Sequence, residues 1–178
     1  MNATAPLQTC AGLDGGIEAS VHAVRQIFND EKVEGILLVD AINAFNTLNR
    51  KAALHNMRHT CPEFATYVRN IYRCKAELFL PDSREVIYSE EGTTQGGPES
   101  MGFYAAATIS LTRRKKEEKN VLYADDALVG GVLLDIRDVW RDVQKDGPGI
   151  GYFPNPAKLS LLLNRSIMNE LLKYFQIS

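Results

Sequence analysis

The sequence predicts an α+β fold in which helices pack on one antiparallel sheet. Its stretches of helix-like and strand-like periodicity follow in the order helix, strand, two helices, hairpin, helix, hairpin, helix, strand, helix. The length of 178 residues suits a single domain with a sizeable core. The apolar and charged fractions, 45% and 24%, are ordinary for a globular domain. Neither an internal repeat nor a linker-like segment divides the chain.

The first part of the chain contains one predicted helix and one predicted strand. Residues 1–13 are expected to be an irregular lead-in. A helix is predicted over 14–28, because apolar residues recur there every three or four positions from Ile17 to Phe28. A short apolar run over 36–41 then predicts a buried strand, which ends close to the carboxylate of Asp40.

The middle of the chain is predicted to be mainly helical. Two helices are expected over 48–60 and 63–73, and they are separated at Pro62, since proline fits the first turn of a helix. A third helix of small and apolar residues is predicted over 101–111. The charged run over 113–119 is expected to be a solvated loop, with contact to phosphate as the alternative.

Two hairpins are predicted from their turn sequences. β-like runs over 76–80 and 85–89 flank Pro81-Asp82-Ser83, in which proline and aspartate favour a turn. A second hairpin is expected over 121–131, where apolar residues lie on both sides of Asp125-Asp126.

The last part of the chain is expected to add a helix, a strand and a final helix. The helix is predicted over 135–145 and is followed by an irregular loop rich in Gly, Pro and Asn over 147–156. The strand is predicted over 159–163, and the final helix over 166–175.

Composition excludes several classes of protein. The net charge of −2 gives no overall attraction to nucleic acid, although a local basic surface is still compatible with it. Cys10, Cys61 and Cys74 form no Cys-x-x-Cys pair and are expected to be reduced thiols in packing positions. No apolar run approaches the roughly 20 residues that span a bilayer. Because a secretory signal is also missing, we expect an intracellular protein without a membrane partner, in either the nucleus or the cytoplasm.

Three carboxylates stand out by their position. Asp125 and Asp126 are expected at the tip of the second hairpin, and Asp40 at the end of the first buried strand. If these elements are neighbours in one sheet, the three side chains converge at one edge as an oxygen-rich site. Hard cations such as Mg²⁺ prefer carboxylate and water ligands of this type.

Four short blocks of the sequence resemble the reverse transcriptases. They occur in that family's order, and together they cover most of residues 17–163. The likeness is greatest to the enzymes of non-LTR retroelements, close to the group II intron branch. The blocks are Asp40-Ala41-Ile42-Asn43-Ala44-Phe45, Gln95-Gly96-Gly97-Pro98-Glu99-Ser100, Tyr123-Ala124-Asp125-Asp126 and Pro154-Asn155-Pro156-Ala157-Lys158.

The resemblance implies a polymerase palm, with partial fingers and a thumb that is largely absent. One domain would cover residues 1–178. Within it, 36–163 would form the catalytic palm core, 1–35 and 74–93 would be partial fingers or adjoin them, and 164–178 would be a terminal helix.

The resemblance also implies RNA-directed DNA synthesis, in which a primer 3′-hydroxyl attacks the α-phosphate of a deoxynucleoside triphosphate. In such enzymes two Mg²⁺ ions, for which Mn²⁺ can substitute, activate the attacking oxygen and neutralise the leaving one. Asp40 and Asp125 would be their main ligands and Asp126 a supporting one. The backbone carbonyl of Ala41 would join the ion that carries the triphosphate.

Further residues receive substrate roles from the same resemblance. Phe45 would be the steric gate that excludes a 2′-hydroxyl, with core packing as the alternative. Gln95 and Gly96 would border the incoming nucleotide and the template, with an ordinary glycine turn as the alternative. Lys158 would be a general acid near the leaving pyrophosphate, or else a solvated surface lysine. The implied partners are an RNA template with a DNA primer, the dNTP, and a partner domain or chain that supplies fingers and thumb.

The chain departs from the family pattern in three ways. Its second block carries Gly97 and Glu99 where the family usually has Asp and Leu, and a carboxylate at position 99 is expected to repel nucleic-acid phosphates. The basic part of the fingers and a full thumb are also expected to be absent from residues 1–178. These departures favour an alternative, a catalytically inactive remnant that serves as a binding or scaffold module. A nucleotide cyclase or an RNA-templated RNA polymerase is a third reading, against which Phe45 and Gln95-Gly96 argue.

Overall fold

A computed structural model describes residues 9–10, 14–112, 119–165 and 167–168. The helices are α1 (Gly16–Phe28), α2 (Ala44–Thr47), α3 (Arg50–Thr60), α4 (Pro62–Tyr72), α5 (Ser100–Thr112) and α6 (Leu133–Ile150). The strands are β1 (Gly35–Val39), β2 (Ala76–Phe79), β3 (Val86–Ser89), β4 (Lys119–Tyr123), β5 (Asp126–Gly131) and β6 (Ser160–Leu163).

The centre of the fold is an antiparallel sheet with the strand order β4-β5-β1-β6. The predicted α+β class, with an antiparallel sheet backed by helices, is therefore confirmed. Val39 at the end of β1 pairs with Ala127 near the start of β5. This register brings the end of the first strand to the tip of the β4–β5 hairpin, at one edge of the sheet.

Alternate residues of the strands feed two separate cores, as expected when successive side chains point to opposite faces. Leu37, Val39 and Val129 face the larger core, which they share with α3, α4, α5 and α6. Ile36 and Leu128 face the smaller core, where α1 covers the other side of the sheet.

The predicted helices and strands between residues 14 and 163 are confirmed to within a few residues, and the structure adds α2. This four-residue helix is too short to give an apolar period. It is held instead by close backbone approaches: a Cβ on Gly92 would lie 2.4 Å from the Asn46 carbonyl oxygen, and one on Gly151 would lie 2.0 Å from that of Thr47. Both glycines have positive φ, 78° and 81°.

The predicted end of α6 is wrong. The sequence placed an irregular loop from 147 onward, whereas the helix continues to Ile150 through Gly147-Pro148-Gly149. Pro148 lacks the N–H that an interior helix position needs, but the helix extends only two residues beyond it. Gly151 then ends the helix in the left-handed conformation, its N–H bonded to the Pro148 carbonyl.

Thr9 and Cys10, which are the described part of the predicted lead-in, are irregular as expected, but Thr9 is not loose. The Thr9 N–H donates to the carbonyl of Leu122 in β4 (2.9 Å), and the Thr9 hydroxyl forms a 2.6 Å hydrogen bond with that of Ser20 in α1. The predicted charged loop at 113–118 and most of the final helix, at 166 and 169–175, lie outside the described residues. Lys119 is the first residue of β4 and not part of a loop.

The hairpin β2–β3 forms a separate two-stranded sheet. Its base is tied to α3 by the buried Arg50, whose Nε donates to the Gly92 carbonyl (2.7 Å) and whose Nη1 donates to the Ser89 carbonyl (2.9 Å). The guanidinium also lies over the ring of Tyr72, 5.1 Å from its centroid. Whether the hairpin belongs to fingers, as the resemblance implies, stays a prediction.

Over the described ranges, no helix combines the length and the apolar character needed to cross a membrane.

Candidate functional site

The three predicted carboxylates lie at the same edge of the sheet. Asp40 directly follows β1, Asp125 lies in the turn between β4 and β5, and Asp126 begins β5. Because Val39 pairs with Ala127, Asp40 comes to lie beside Asp126, and their side chains are within hydrogen-bonding reach.

The turn that carries Asp125 has an unusual backbone. Ala124 has φ 55°, in the left-handed region that non-glycine residues rarely adopt. A positive φ at the first turn residue matches the right-handed twist of the two flanking strands. Tyr152 stabilises the turn, because its hydroxyl donates to the Asp125 carbonyl at 3.3 Å.

Lys158 is positioned by the segment that follows α6. The Asn155 N–H donates to the Asp40 carbonyl (2.8 Å), and the Lys158 N–H donates to the Asn155 carbonyl (3.1 Å). The Lys158 ammonium Nζ then lies 2.9 Å from Asp40 Oδ2. This hydrogen bond raises the pKa of Lys158 above its ordinary value, with the charges of Asp40 and Asp126 adding to the effect. In this arrangement Lys158 holds its proton more tightly and is the counter-ion of Asp40.

Asp126 lies in an environment with an excess of negative charge. Partial burial raises its pKa above the ordinary value, and the charges of Asp125 and Asp40 raise it further, against the opposing effect of Lys158. Like charges so placed disfavour ionisation, and a cation bound between them would relieve the repulsion.

The chemistry of these donors fits a hard divalent cation, because ionised carboxylates are the ligands that Mg²⁺ prefers. The side chains that contact each other are a pair, Asp40 and Asp126, with Asp125 one residue away in the turn. Within the ranges that the structure describes, no three His, Cys, Asp or Glu side chains are close enough together to hold a metal ion. Asp40, moreover, is already paired with Lys158.

A cavity of about 360 Å³ opens beside the carboxylate pair, on the face of the sheet that α1 partly covers. Polar groups line one end and apolar side chains the remainder. The lining residues are Ser20, Val24, Leu38, Val39, Asp40, Val121, Tyr123, Asp126, Ala127, Leu128 and Lys158.

The other predicted site residues do not line the cavity beside Asp40. Ala41 is buried and forms an isolated antiparallel bridge with Pro154. Phe45, in α2, is half-buried and stacks on Tyr104 with ring centroids 4.8 Å apart, so its ring packs on the core as well as facing outward. Gln95 and Gly96 form an exposed turn and do not line the cavity beside Asp40.

The expectation that Glu99 would repel nucleic-acid phosphates is wrong. Glu99 is only 7% exposed and accepts a 2.7 Å hydrogen bond from the Tyr72 hydroxyl. The same hydroxyl bonds to Thr93 Oγ1 at 2.8 Å. Glu99 is therefore part of a buried polar network and does not lie on a surface that could meet a phosphate.

Two tyrosines near the carboxylates were missed from the sequence. Tyr152 is 4% exposed, and its pKa is raised by burial and by the charges of Asp125 and Asp40. Tyr104 is 1% exposed, and its hydroxyl has no hydrogen-bond partner among the described residues. Tyr152 lies in a stretch predicted to be a loop and Tyr104 in a helix predicted from its apolar residues, and no local pattern indicates that either is close to the carboxylates.

Comparisons with known proteins give matches in structure but not in sequence. No family model matches the sequence, and no curated protein matches it either. Among solved structures, the chain is similar to apo telomerase from Candida tropicalis, with a TM-score of 0.65 and 10% identity over 84% of this chain and 33% of that one. It is also similar to telomerase from Candida albicans in complex with a TWJ fragment of telomeric RNA, with a TM-score of 0.54 and 11% identity over 93% of this chain and 32% of that one.

A third match has the same character. A Candida tropicalis telomerase truncated from its C-terminal domain gives a TM-score of 0.65 and 12% identity, over 86% of this chain and 36% of that one. This chain thus spans about a third of the length of the structures that it matches. At this level of identity the likeness concerns the fold alone: a reverse-transcriptase-like fold with the antiparallel sheet of a partial polymerase palm.

Proposed function

We propose that this chain is the palm of an RNA-directed DNA polymerase, from a retroelement of the non-LTR or group II intron type. The observation that carries the proposal is the contact between Asp40 and Asp126, at the ends of two paired antiparallel strands and beside an open cavity. The telomerase-like fold supports the same class of chemistry, because the likeness extends over most of this chain.

Asp40, Asp125 and Asp126 are the residues that would hold two Mg²⁺ ions, with the Ala41 carbonyl as a further ligand. When bound, the ions supply charge neutralisation at the attacking and leaving oxygens of nucleotidyl transfer. The raised pKa of Asp126 fits this role, since a cation at this point offsets the repulsion between the carboxylates.

The remaining residues would position the nucleotide. The ring of Phe45 would lie under the sugar and exclude a 2′-hydroxyl, while its stacking on Tyr104 keeps it in place. The exposed turn at Gln95 and Gly96 would border the nucleotide and the template. Lys158 would leave Asp40 for the departing pyrophosphate and protonate it, which its present ion pair opposes.

The proposed partners are an RNA template with a DNA primer, and the dNTP. The RNA carried by the matched telomerase of Candida albicans supports a nucleic-acid partner in general. A partner domain or chain that supplies fingers and thumb is part of the same proposal.

Primer extension tests this function directly. The full chain is incubated with an RNA template, a DNA primer and dNTPs, with Mg²⁺ or with Mn²⁺, and the Asp125→Asn variant is run alongside. Template-directed extension by the parent that is lost in the variant supports the proposal. Extension that is equal in both proteins contradicts the assignment of Asp125 to the metal site.

The alternative is the inactive remnant, and a specific feature favours it. Lys158 forms an ion pair with Asp40. Among the described residues, no three carboxylates lie close enough together to hold a metal ion. Absence of extension at low salt and high protein concentration, together with no binding of Mn²⁺ in a spin-resonance titration, would establish this reading.

A further inference from the structure

Two segments of this acidic chain, 50–75 and 113–119, carry an excess of positive charge, and the structure describes all of the first. Residues 50–75 contain six Lys and Arg side chains and a single acidic one, Glu63, which gives the segment a net charge of +5. The rest of the chain has fourteen basic and twenty-one acidic side chains, a net charge of −7. Such an asymmetry within one domain indicates a surface for a polyanion, which the overall charge of −2 conceals.

The structure places this charge on the surface of α3 and α4. Lys51 and Arg58 lie on α3, and Arg69 and Arg73 lie on α4 and at its C-terminal end. All four side chains are exposed. In the part of the chain that the structure describes, none of them forms an ion pair. We call these four residues the basic helix pair.

The stability of the helices does not explain the whole set. Arg58 and Arg69 lie in the last turns of their helices, where positive charge interacts favourably with the helix dipole. Lys51 lies in the first turn of α3, where a positive charge is unfavourable for the helix dipole. The Glu91 carboxylate accepts from the Arg50 N–H at the same helix end, but it forms no ion pair with Lys51.

We propose that the basic helix pair binds the phosphate backbone of a nucleic acid, without reading its sequence. None of its four residues lines the cavity beside Asp40, so this surface is separate from the carboxylate site. The inference rests on the proposed function only in choosing nucleic acid among the possible polyanions. The charge distribution itself does not depend on catalysis.

The test is fluorescence anisotropy of the full chain with a labelled single-stranded RNA of about 20 nucleotides, over a range of salt concentrations. The variant Lys51→Gln/Arg58→Gln/Arg69→Gln/Arg73→Gln removes the four charges. Because each neutralised phosphate of a single strand contributes about 0.7 to the slope of log affinity against log salt, the slope should fall by about 3. At about 50 mM salt we expect the affinity to fall at least about tenfold.

A second variant with the same net charge is the control. Arg25→Gln/Arg84→Gln/Lys145→Gln/Arg165→Gln also removes four exposed charges, but from outside residues 50–75. It should keep the affinity within about threefold of the parent. An equal loss in both variants, or no binding by the parent, would overturn the proposal. If the first variant fails to fold, as judged by circular dichroism, the single variants Lys51→Gln and Arg69→Gln should each lower the slope by about 0.7.

Further measurements distinguish nucleic acid from other partners. They also distinguish failure of this proposal from failure of the proposed function. A polyglutamate competitor that displaces the RNA at equal charge concentration would identify an acidic protein as the partner and overturn the proposal. Primer extension by the parent and by the Asp125→Asn protein is scored separately from RNA binding by the parent and the two charge variants, so that failure of this surface and failure of the catalytic assignment give different results.

Discussion

Gly97 and Glu99 are in direct contact: a Cβ on Gly97 would lie 2.7 Å from Glu99 Oε1 and 2.8 Å from the Ser100 hydroxyl oxygen. The two departures of the second block from the reverse-transcriptase pattern are therefore one structural feature. The buried carboxylate of Glu99, which accepts from Tyr72, occupies the space that a side chain at position 97 would need. Glutamate at 99 therefore disfavours a side chain at 97, as do the Ser100 hydroxyl and the Thr94 carbonyl.

The first prediction concerns this pair. Gly97→Asp should destabilise the fold by about 1–3 kcal/mol, because the new side chain overpacks a buried site. Glu99→Leu should cost about 1–2 kcal/mol through the lost hydrogen bond of Tyr72. The free energy of unfolding that the double variant loses should be at least about 1 kcal/mol smaller than the sum of the losses in the two single variants, because the effects of contacting residues are coupled. Urea unfolding of the four proteins measures this, and additive losses would show that the residues are independent.

The second prediction concerns the backbone of the acidic turn. Ala124 has φ 55°, a conformation that costs a non-glycine residue about 1–2 kcal/mol. Ala124→Gly should therefore raise the free energy of unfolding by about 1 kcal/mol. Ala127→Gly is the matched control, since Ala127 lies inside β5. There glycine should lower the stability by about 0.5–1 kcal/mol. A loss in both variants would mean that the turn is not strained.

Most of the sheet could be predicted because its signals are local. The apolar run before Asp40 and the apolar runs around Asp125-Asp126 each define a strand, and antiparallel pairing then brings the three carboxylates to one edge. Their place in the sequence was enough to find the edge of the candidate site.

What could not be predicted depends on contacts between distant residues. The ion pair of Lys158 with Asp40 and the hydrogen bond from Tyr152 to the turn join segments far apart in sequence. The burial of Glu99 depends in the same way on Tyr72, 27 residues away. Helix α6 continues through its Gly-Pro-Gly sequence because Gly147 packs on the Tyr152 backbone. Helix propensity is a local property and does not include this contact.

The third prediction concerns pH. The hydrogen bond from Lys119 lowers the pKa of Asp30 below its ordinary value of 3.8, with a further contribution from the Lys32 N–H. A carboxylate with a lowered pKa contributes stability that is present above its unfolded pKa and is lost as pH falls through its folded pKa. Lys119→Gln should therefore have a lower Tm than the parent at neutral pH, and the difference should shrink as pH falls below 3.8.

The same measurement on Lys145→Gln is the control for this pH effect. Lys145 is exposed and is not among the groups that shift the pKa of Asp30. Its Tm difference from the parent should not depend on pH in the acidic range. A Lys119→Gln difference that persists unchanged at low pH would show that Lys119 acts through packing and not through Asp30.

The fourth prediction concerns competition between Lys158 and a divalent cation. Lys158→Gln removes the ammonium that lies 2.9 Å from Asp40 Oδ2, so the carboxylates should bind Mn²⁺ about threefold to tenfold more tightly. Asp126→Asn removes one carboxylate and should weaken binding by at least about tenfold. A Mn²⁺ spin-resonance titration measures both without any need for catalysis. Unchanged affinity in both variants would place the cation elsewhere.

The last prediction separates the two buried tyrosines. The Tyr104 hydroxyl is buried without a hydrogen-bond partner among the described residues, whereas that of Tyr152 donates to the Asp125 carbonyl. An unsatisfied buried hydroxyl costs about 1–3 kcal/mol, and a made hydrogen bond contributes about 1. Tyr104→Phe should therefore leave the stability unchanged or raise it by up to about 2 kcal/mol, and Tyr152→Phe should lower it by about 1. Urea unfolding of the two variants, which delete the same atom, measures the difference. If Tyr104→Phe proves the more destabilising, the Tyr104 hydroxyl of the parent has a hydrogen-bond partner such as an ordered water. The carboxylates would then lie close to buried water.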